Sequence, residues 1–204
     1  MKEMRTNVRA VAAVVCIAAI TAGIAVARAH TGNKKAVDAD KRHVLVVYYS
    51  ATGTTARVAG YIASVMNADL MRLECVNPYT EADLDWRVKD SRVMLEYADE
   101  SKRKVELVST AVDGWEDYDT VFIGYPIWCG MAAWPVNGFV EANDFTGKTV
   151  VPFCTAGSSG IGKSGKLLEK SAGTGTWLDG ERFLAGATEA DVRAWLEETG
   201  LYGK

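Results

Sequence analysis

Four hydroxyl side chains crowd a single glycine in the stretch Ser50-Ala51-Thr52-Gly53-Thr54-Thr55. Hydroxyls donate hydrogen bonds without adding charge, so a turn of this kind suits an anion. The β-branched run Val44 to Tyr49 precedes it, and Val58, Ala59, Ile62, Val65 and Met66 recur after it at helical spacing. Strand, hydroxyl-rich turn and helix in that order bring unpaired backbone N–H groups to a helix start, where they carry partial positive charge. Together they predict a phosphate cradle.

Two further loops could do chemistry. Gly157-Ser158-Ser159-Gly160-Ile161-Gly162-Lys163-Ser164 matches the triphosphate loop G-x-x-x-x-G-K-[ST] between a strand and a helix. A nucleoside triphosphatase also needs a strand ending in a magnesium-binding Asp. The buried runs here end in Tyr49-Ser50, Gly124-Tyr125 and Cys154-Thr155 instead, which leaves that function a remote alternative. The other loop is Tyr125-Pro126-Ile127-Trp128-Cys129-Gly130, whose indole could cover a flat ligand or simply fill core.

The elements that must position these loops follow from hydropathy. Val44–Tyr49, Thr120–Gly124 and Thr149–Thr155 read as strands buried on both faces. Asp69 to Val76 alternates, with Met71, Leu73 and Cys75 on one face, as an edge strand does, and Trp177-Leu178 supplies a fifth strand before an Asp179-Gly180 turn. Helices are expected over Thr54–Asn67, from Thr80 towards Tyr97, from Pro135, through Leu167 and Leu168, and from the cap Thr188 to Gly200. Alternating strands and helices give an α/β, doubly wound, five-stranded parallel sheet. An edge-like second strand fits the order 2-1-3-4-5, whose ligand crevice opens where strands 1 and 3 diverge. The loops after strands 1, 3 and 4 all meet there.

Lys2, Arg5 and Arg9, the apolar stretch Ala10 to Val26 and Ala27-Arg28-Ala29 have the order of an export signal, cleaved after Ala29 or kept as an anchor. Residues 1–29 are therefore read as signal or anchor, 30–42 as a tether and 43–204 as the domain, exported and either secreted or tethered to the membrane. Of 23 basic and 26 acidic residues, 19 and 25 remain after residue 29, a net charge of −6. That balance argues against nucleic acid as a partner. Cys75, Cys129 and Cys154 form no C-x-x-C pair, and His30 and His43 leave a metal site almost without ligands, so none is expected.

The three loops together resemble the flavodoxin family. Ser50–Thr55 is similar to its S/T-x-T-G-x-T phosphate loop, Pro126-Ile127-Trp128 to a proline–x–tryptophan loop, and Thr155-Ala156-Gly157-Ser158-Ser159-Gly160 to a T-x-G-x-S-G loop. The resemblance covers about residues 43 to 200 and implies a flavodoxin-like fold holding FMN. It implies Ser50, Ala51, Thr52, Gly53, Thr54 and Thr55 at the phosphate. Pro126, Ile127, Trp128, Cys129 and Gly130 would lie against the ring and its N5 edge, and Thr155, Ala156, Gly157, Ser158, Ser159 and Gly160 at the N1 and O2 edge. No catalytic residue is implied. Thr54 stands where many flavodoxins carry Asn, and no tyrosine in Ala156–Ile161 covers the second ring face. The function implied is electron transfer with a redox partner protein or a small acceptor. An FMN-dependent NAD(P)H:quinone or small-acceptor oxidoreductase and a flavin-less binding module are the alternatives.

Overall fold

Five consecutive apolar side chains, Val44–Tyr48, make β1, and every one is buried. Their alternation feeds two cores. Leu45 and Val47 point into one, and Val44, Val46 and Tyr48 into the other. Each such side chain removed from water contributes about 1.5–3 kcal/mol, so a strand buried on both faces anchors both layers. A computed structural model describes residues 43–202. The signal or anchor read in residues 1–29 and the tether at 30–42 lie outside the described residues. Among the described residues no helix is long and apolar enough to cross a membrane.

After β1 come α1 (Thr54–Met66), β2 (Asp69–Arg72), α2 (Arg92–Ala98), β3 (Thr120–Trp128), β4 (Met131–Ala132) and α3 (Pro135–Ala142). The chain continues through β5 (Thr149–Thr155), α4 (Ser164–Ala172), β6 (Thr176–Trp177), β7 (Glu181–Phe183) and α5 (Glu189–Glu198). The sheet runs β2-β1-β3-β5-β6, parallel throughout this path, which is the expected order 2-1-3-4-5. Two additions make it seven-stranded: β4 folds back antiparallel on β3, and β7 joins β6 alongside β5. Helices α1 and α5 cover one face through Val58, Ile62, Val192, Trp195 and Leu196. Helices α3 and α4 cover the other through Val136, Phe139, Val140 and Leu168. The Thr188–Asp191 capping box starts α5 as expected.

Several elements differ from the sequence expectation, each for a physical reason. The helix expected from Thr80 begins as one turn only. Thr80 and Asp83 exchange the capping hydrogen bonds, but Val93 N–H then takes the Asp83 carbonyl and the helix proper starts at Arg92. Strand β3 runs past Gly124 to Trp128, so Pro126 and Ile127 are strand residues rather than loop. Gly124 marks a close approach instead of a strand end. A Cβ there would lie 2.2 Å from Cζ of the buried Phe153 ring.

The fifth strand is divided by Pro152. Val150 accepts from Leu178 N–H, so the residue two further along faces the same neighbour and, being proline, has no N–H to offer it. Pairing on that side stops at Val150 and resumes at Phe153. Asp179-Gly180 is accordingly no reversing turn, since β6 and β7 both run parallel to β5. A Cβ on Gly180 would come within 2.3 Å of the Pro152 carbonyl oxygen and 2.9 Å of its ring. Gly180→Ala is therefore expected to cost about 1–3 kcal/mol of stability, read from chemical unfolding.

Candidate functional site

The loop between β1 and α1 is closed by its own side chain, with Gly53 N–H donating to Ser50 Oγ at 3.1 Å. Gly53 sits in the left-handed region (φ 89°) as the N-cap of α1, a conformation that a side chain would strain. No side chain caps this helix and its first turn holds no acidic residue. The backbone N–H groups of Ala51, Thr52, Thr54, Thr55 and Ala56 take no carbonyl among the described residues. Among the described residues the Thr52 and Thr54 hydroxyls have no hydrogen-bond partner either, with Thr52 exposed and Thr54 half-buried. The donor set is dense, uncharged and uncommitted, and this is the chemistry a single phosphate needs.

Not every expected hydroxyl is free. Thr55 is 1% exposed and its Oγ1 lies 2.8 Å from Thr155 Oγ1, itself buried at the end of β5. This pair ties the first loop to the third, so Thr55 and Thr155 shape the cradle from below. Ser50 does the same from within its turn. Beyond Thr155, Ala156 N–H is spent on the Phe183 carbonyl, while Gly157, Ser158, Ser159 and Gly160 are exposed with uncommitted N–H groups.

The rival triphosphate loop fails on its serine. Ser164 is 1% exposed, donates to the Ile161 carbonyl at 2.6 Å and lies 3.0 Å from the buried Tyr125 hydroxyl. A hydroxyl so committed cannot reach a magnesium ion, and Lys163 serves as the N-cap of α4. Among the described residues no group of three or more His, Cys, Asp or Glu is placed to hold a metal.

The second loop is a hairpin. Trp128 pairs with Met131 across Cys129 and Gly130, which have φ of 49° and 81°. Positive φ at both central residues is the two-residue turn whose twist matches that of the flanking strands. Trp128 is half-buried, packed edge-on against Tyr49 (centroids 5.6 Å apart, planes at 86°) and Trp134 (5.9 Å, 76°) and tilted against Tyr79 (4.7 Å, 58°). Uncharged donors after β1 and β5 and the indole of the last β3 residue thus converge at the strand ends of one crevice.

The profile of the family described as flavodoxin matches residues 43–199. The chain belongs to the flavodoxin family. Among solved structures, a protein from Bacteroides eggerthii assigned as a flavoprotein is 41% identical, with TM-score 0.70, covering 78% of this chain and 98% of its own. Another from Bacteroides uniformis is 40% identical, with TM-score 0.71, covering 76% and 98%. A flavoprotein from Lactobacillus acidophilus, solved in complex with FMN, shares the fold at 21% identity and TM-score 0.53, covering 76% and 98%. No curated protein matches the chain.

This flavodoxin also contains site neighbours that the sequence did not single out. Tyr79, from the connection between β2 and β3, packs against Trp128, and Arg92 and Glu96 of the same connection hold Tyr79 in turn. A cleft of about 240 Å³ opens at the loop between β1 and α1, lined by Tyr49, Ser50, Ala51, Arg72, Cys75 and Tyr79 among others. The Asn77-Pro78-Tyr79 stop after an edge strand was the available signal. Burial pushes Cys154 up to about 12 and raises Cys75 and Cys129 as well, so all three stay protonated at neutral pH. Burial likewise raises the phenols of Tyr49 and Tyr125.

Proposed function

We propose that this flavodoxin binds one FMN and carries electrons between a donor and a redox partner protein or small acceptor. The observation that supports it best is the crevice itself: uncommitted, uncharged donors after β1 and β5, with Trp128 at the end of β3. FMN when bound supplies reversible redox chemistry, and the protein supplies binding, orientation and tuning. Thr52, Thr54 and the N–H groups of Thr54 to Ala56 would hold the phosphate. Trp128 would cover one ring face, the Cys129-Gly130 backbone the N5 edge, and the amides of Gly157 to Gly160 the N1 and O2 edge. The FMN complex of the Lactobacillus relative, which shares this fold, is consistent with that assignment. A net charge of −6 beyond residue 29 disfavours an anionic reduced flavin and so lowers its potential. The proposal extends to a location outside the cytoplasmic membrane, on the strength of the signal-like order of residues 1–29.

One observation favours a second reading. Ala156 to Gly160 contains no ring, so the outer flavin face would stay open to a small substrate such as NAD(P)H or a quinone. Titrating the purified apoprotein with FMN tests the first step. Uptake of one FMN per chain with quenched flavin fluorescence is expected, and no uptake would leave the flavin-less binding module. NAD(P)H oxidation by the holoprotein without a partner reductase would then decide for the enzyme, and its absence for the carrier.

A further inference from the structure

Trp128 lies beyond the last residue of β3 that pairs with β5, Pro126, in a hairpin held by only two residue pairs with β4. So short a ribbon is marginal by itself, and the indole takes its orientation from the side chains it touches. Two of its three aromatic neighbours are fixed by the core, Tyr49 following β1 at 5% exposure and Trp134 at 1%. The third, Tyr79, is the nearest and is held in a different way. The Arg92 guanidinium carbon lies 3.7 Å from its ring centroid. Tyr79 O–H donates to Glu96 Oε2 at 2.7 Å, and Arg92 Nε donates to Glu96 Oε1 at 2.8 Å. An Arg92 terminal nitrogen also donates to the Asn77 carbonyl at 2.9 Å, two residues before Tyr79.

Ring, guanidinium and carboxylate therefore close into one unit. Glu96 is 5% exposed and uses both oxygens, so its charge is paired and hydrogen-bonded. A planar guanidinium stacked on an aromatic ring while bonded to a carboxylate has little freedom left. Through Tyr79, which follows β2 in the chain, this unit packs against the indole, whereas the ringless segment Ala156 to Gly160 follows β5.

Building on the FMN reading above, we infer that Tyr79, braced by Arg92 and Glu96, is a positioning residue that sets the tilt of Trp128 against the flavin and so biases the protein towards the oxidised ring. An electron-rich indole stacks best on the electron-poor oxidised isoalloxazine, and less well once the ring has gained two electrons and become electron-rich. Holding the indole in its stacking pose therefore tightens oxidised FMN more than reduced FMN. Loss of the brace raises the midpoint potential.

The test compares wild type, Tyr79→Leu and Tyr79→Phe as holoproteins, with FMN affinity and midpoint potential measured spectroelectrochemically. In Tyr79→Leu the ratio of oxidised to reduced affinity is expected to fall about tenfold, which is a rise of about 30 mV for a two-electron couple. Tyr79→Phe keeps the ring under the guanidinium, loses the O–H bond to Glu96 and is expected to lie between wild type and Tyr79→Leu. A structural role alone would lower unfolding stability and leave that ratio unchanged. An unchanged ratio in Tyr79→Leu overturns the inference. If Tyr79→Leu does not fold, Arg92→Lys takes its place. It keeps the charge and loses the planar fork over the ring, and the same upward shift supports the inference while none overturns it. A wild type that takes up no FMN would instead overturn the functional proposal, so the two failures are distinguishable.

Discussion

Thr54→Glu is expected to leave the apoprotein as stable as before, or slightly more so, while weakening FMN capture at least ~100-fold. Thr54 is the first residue of α1, and the first turn contains no acidic residue. A carboxylate there normally stabilises a helix by about 0.3–1 kcal/mol through the partial positive charge of its N–H groups. Those N–H groups are what the phosphate would use. A phosphate monoester carries roughly −1.5 to −2 at neutral pH. At about 4 Å and an effective dielectric near 20, two unit charges of like sign repel by about 4 kcal/mol. Even after solvent takes a third of that, the remaining ~2.7 kcal/mol is a hundredfold in affinity. The opposite signs of the two effects make the experiment specific. Riboflavin, which lacks the phosphate, should bind Thr54→Glu nearly as it binds wild type. Thr54→Gln controls for size. Fluorescence titrations with both flavins provide the check, and equal losses for FMN and riboflavin would mean that the phosphate lies elsewhere.

The parts of this protein that were legible in its sequence are those governed by local period. Val44–Tyr49, Thr120–Gly124 and Thr149–Thr155 announce themselves because a parallel strand covered on both faces must be apolar throughout. The capping pair Thr188 and Asp191 is likewise a local device. The committed state of Thr55 could also have been read. It lies three, four and seven residues before Val58, Ala59 and Ile62, which puts it on the buried face of α1, and all four are buried. The connection from Asn77 to Trp115 was not legible, since its order rests on pairs far apart in sequence. Arg92 stacks on Tyr79, and Arg103 donates to the carbonyls of Glu96 and Tyr97. No hydrophobic period encodes such contacts. The divided fifth strand needed spatial knowledge too. Only in the folded sheet does Pro152 face the gap between β6 and β7.

Trp128→Ala is the second large effect expected, and it should have the opposite ligand signature. The indole is the one aromatic side chain that the three loops bring to the crevice, and stacking of a flat heterocycle on an aromatic side chain is worth about 1–3 kcal/mol. FMN and riboflavin present the same ring, so both should lose affinity by the same factor, ~30-fold at the middle of that range. Flavin fluorescence, quenched in the wild-type complex, should recover in whatever fraction remains bound. The apoprotein should also lose stability, by about 2 kcal/mol, because the substitution removes edge-on or tilted contacts with Tyr49, Tyr79 and Trp134. Trp128→Phe keeps a ring and should recover most of both losses. The ratio of FMN to riboflavin affinity then separates the two ends of the ligand. It should collapse in Thr54→Glu and stay at the wild-type value in Trp128→Ala. Were Trp128→Ala to spare both flavins while still destabilising the fold, the indole would be a piece of core that happens to border the crevice. The flavin ring would then have to lie against the β5 loop alone, where Gly157 to Gly160 offer amides and no ring to stack on.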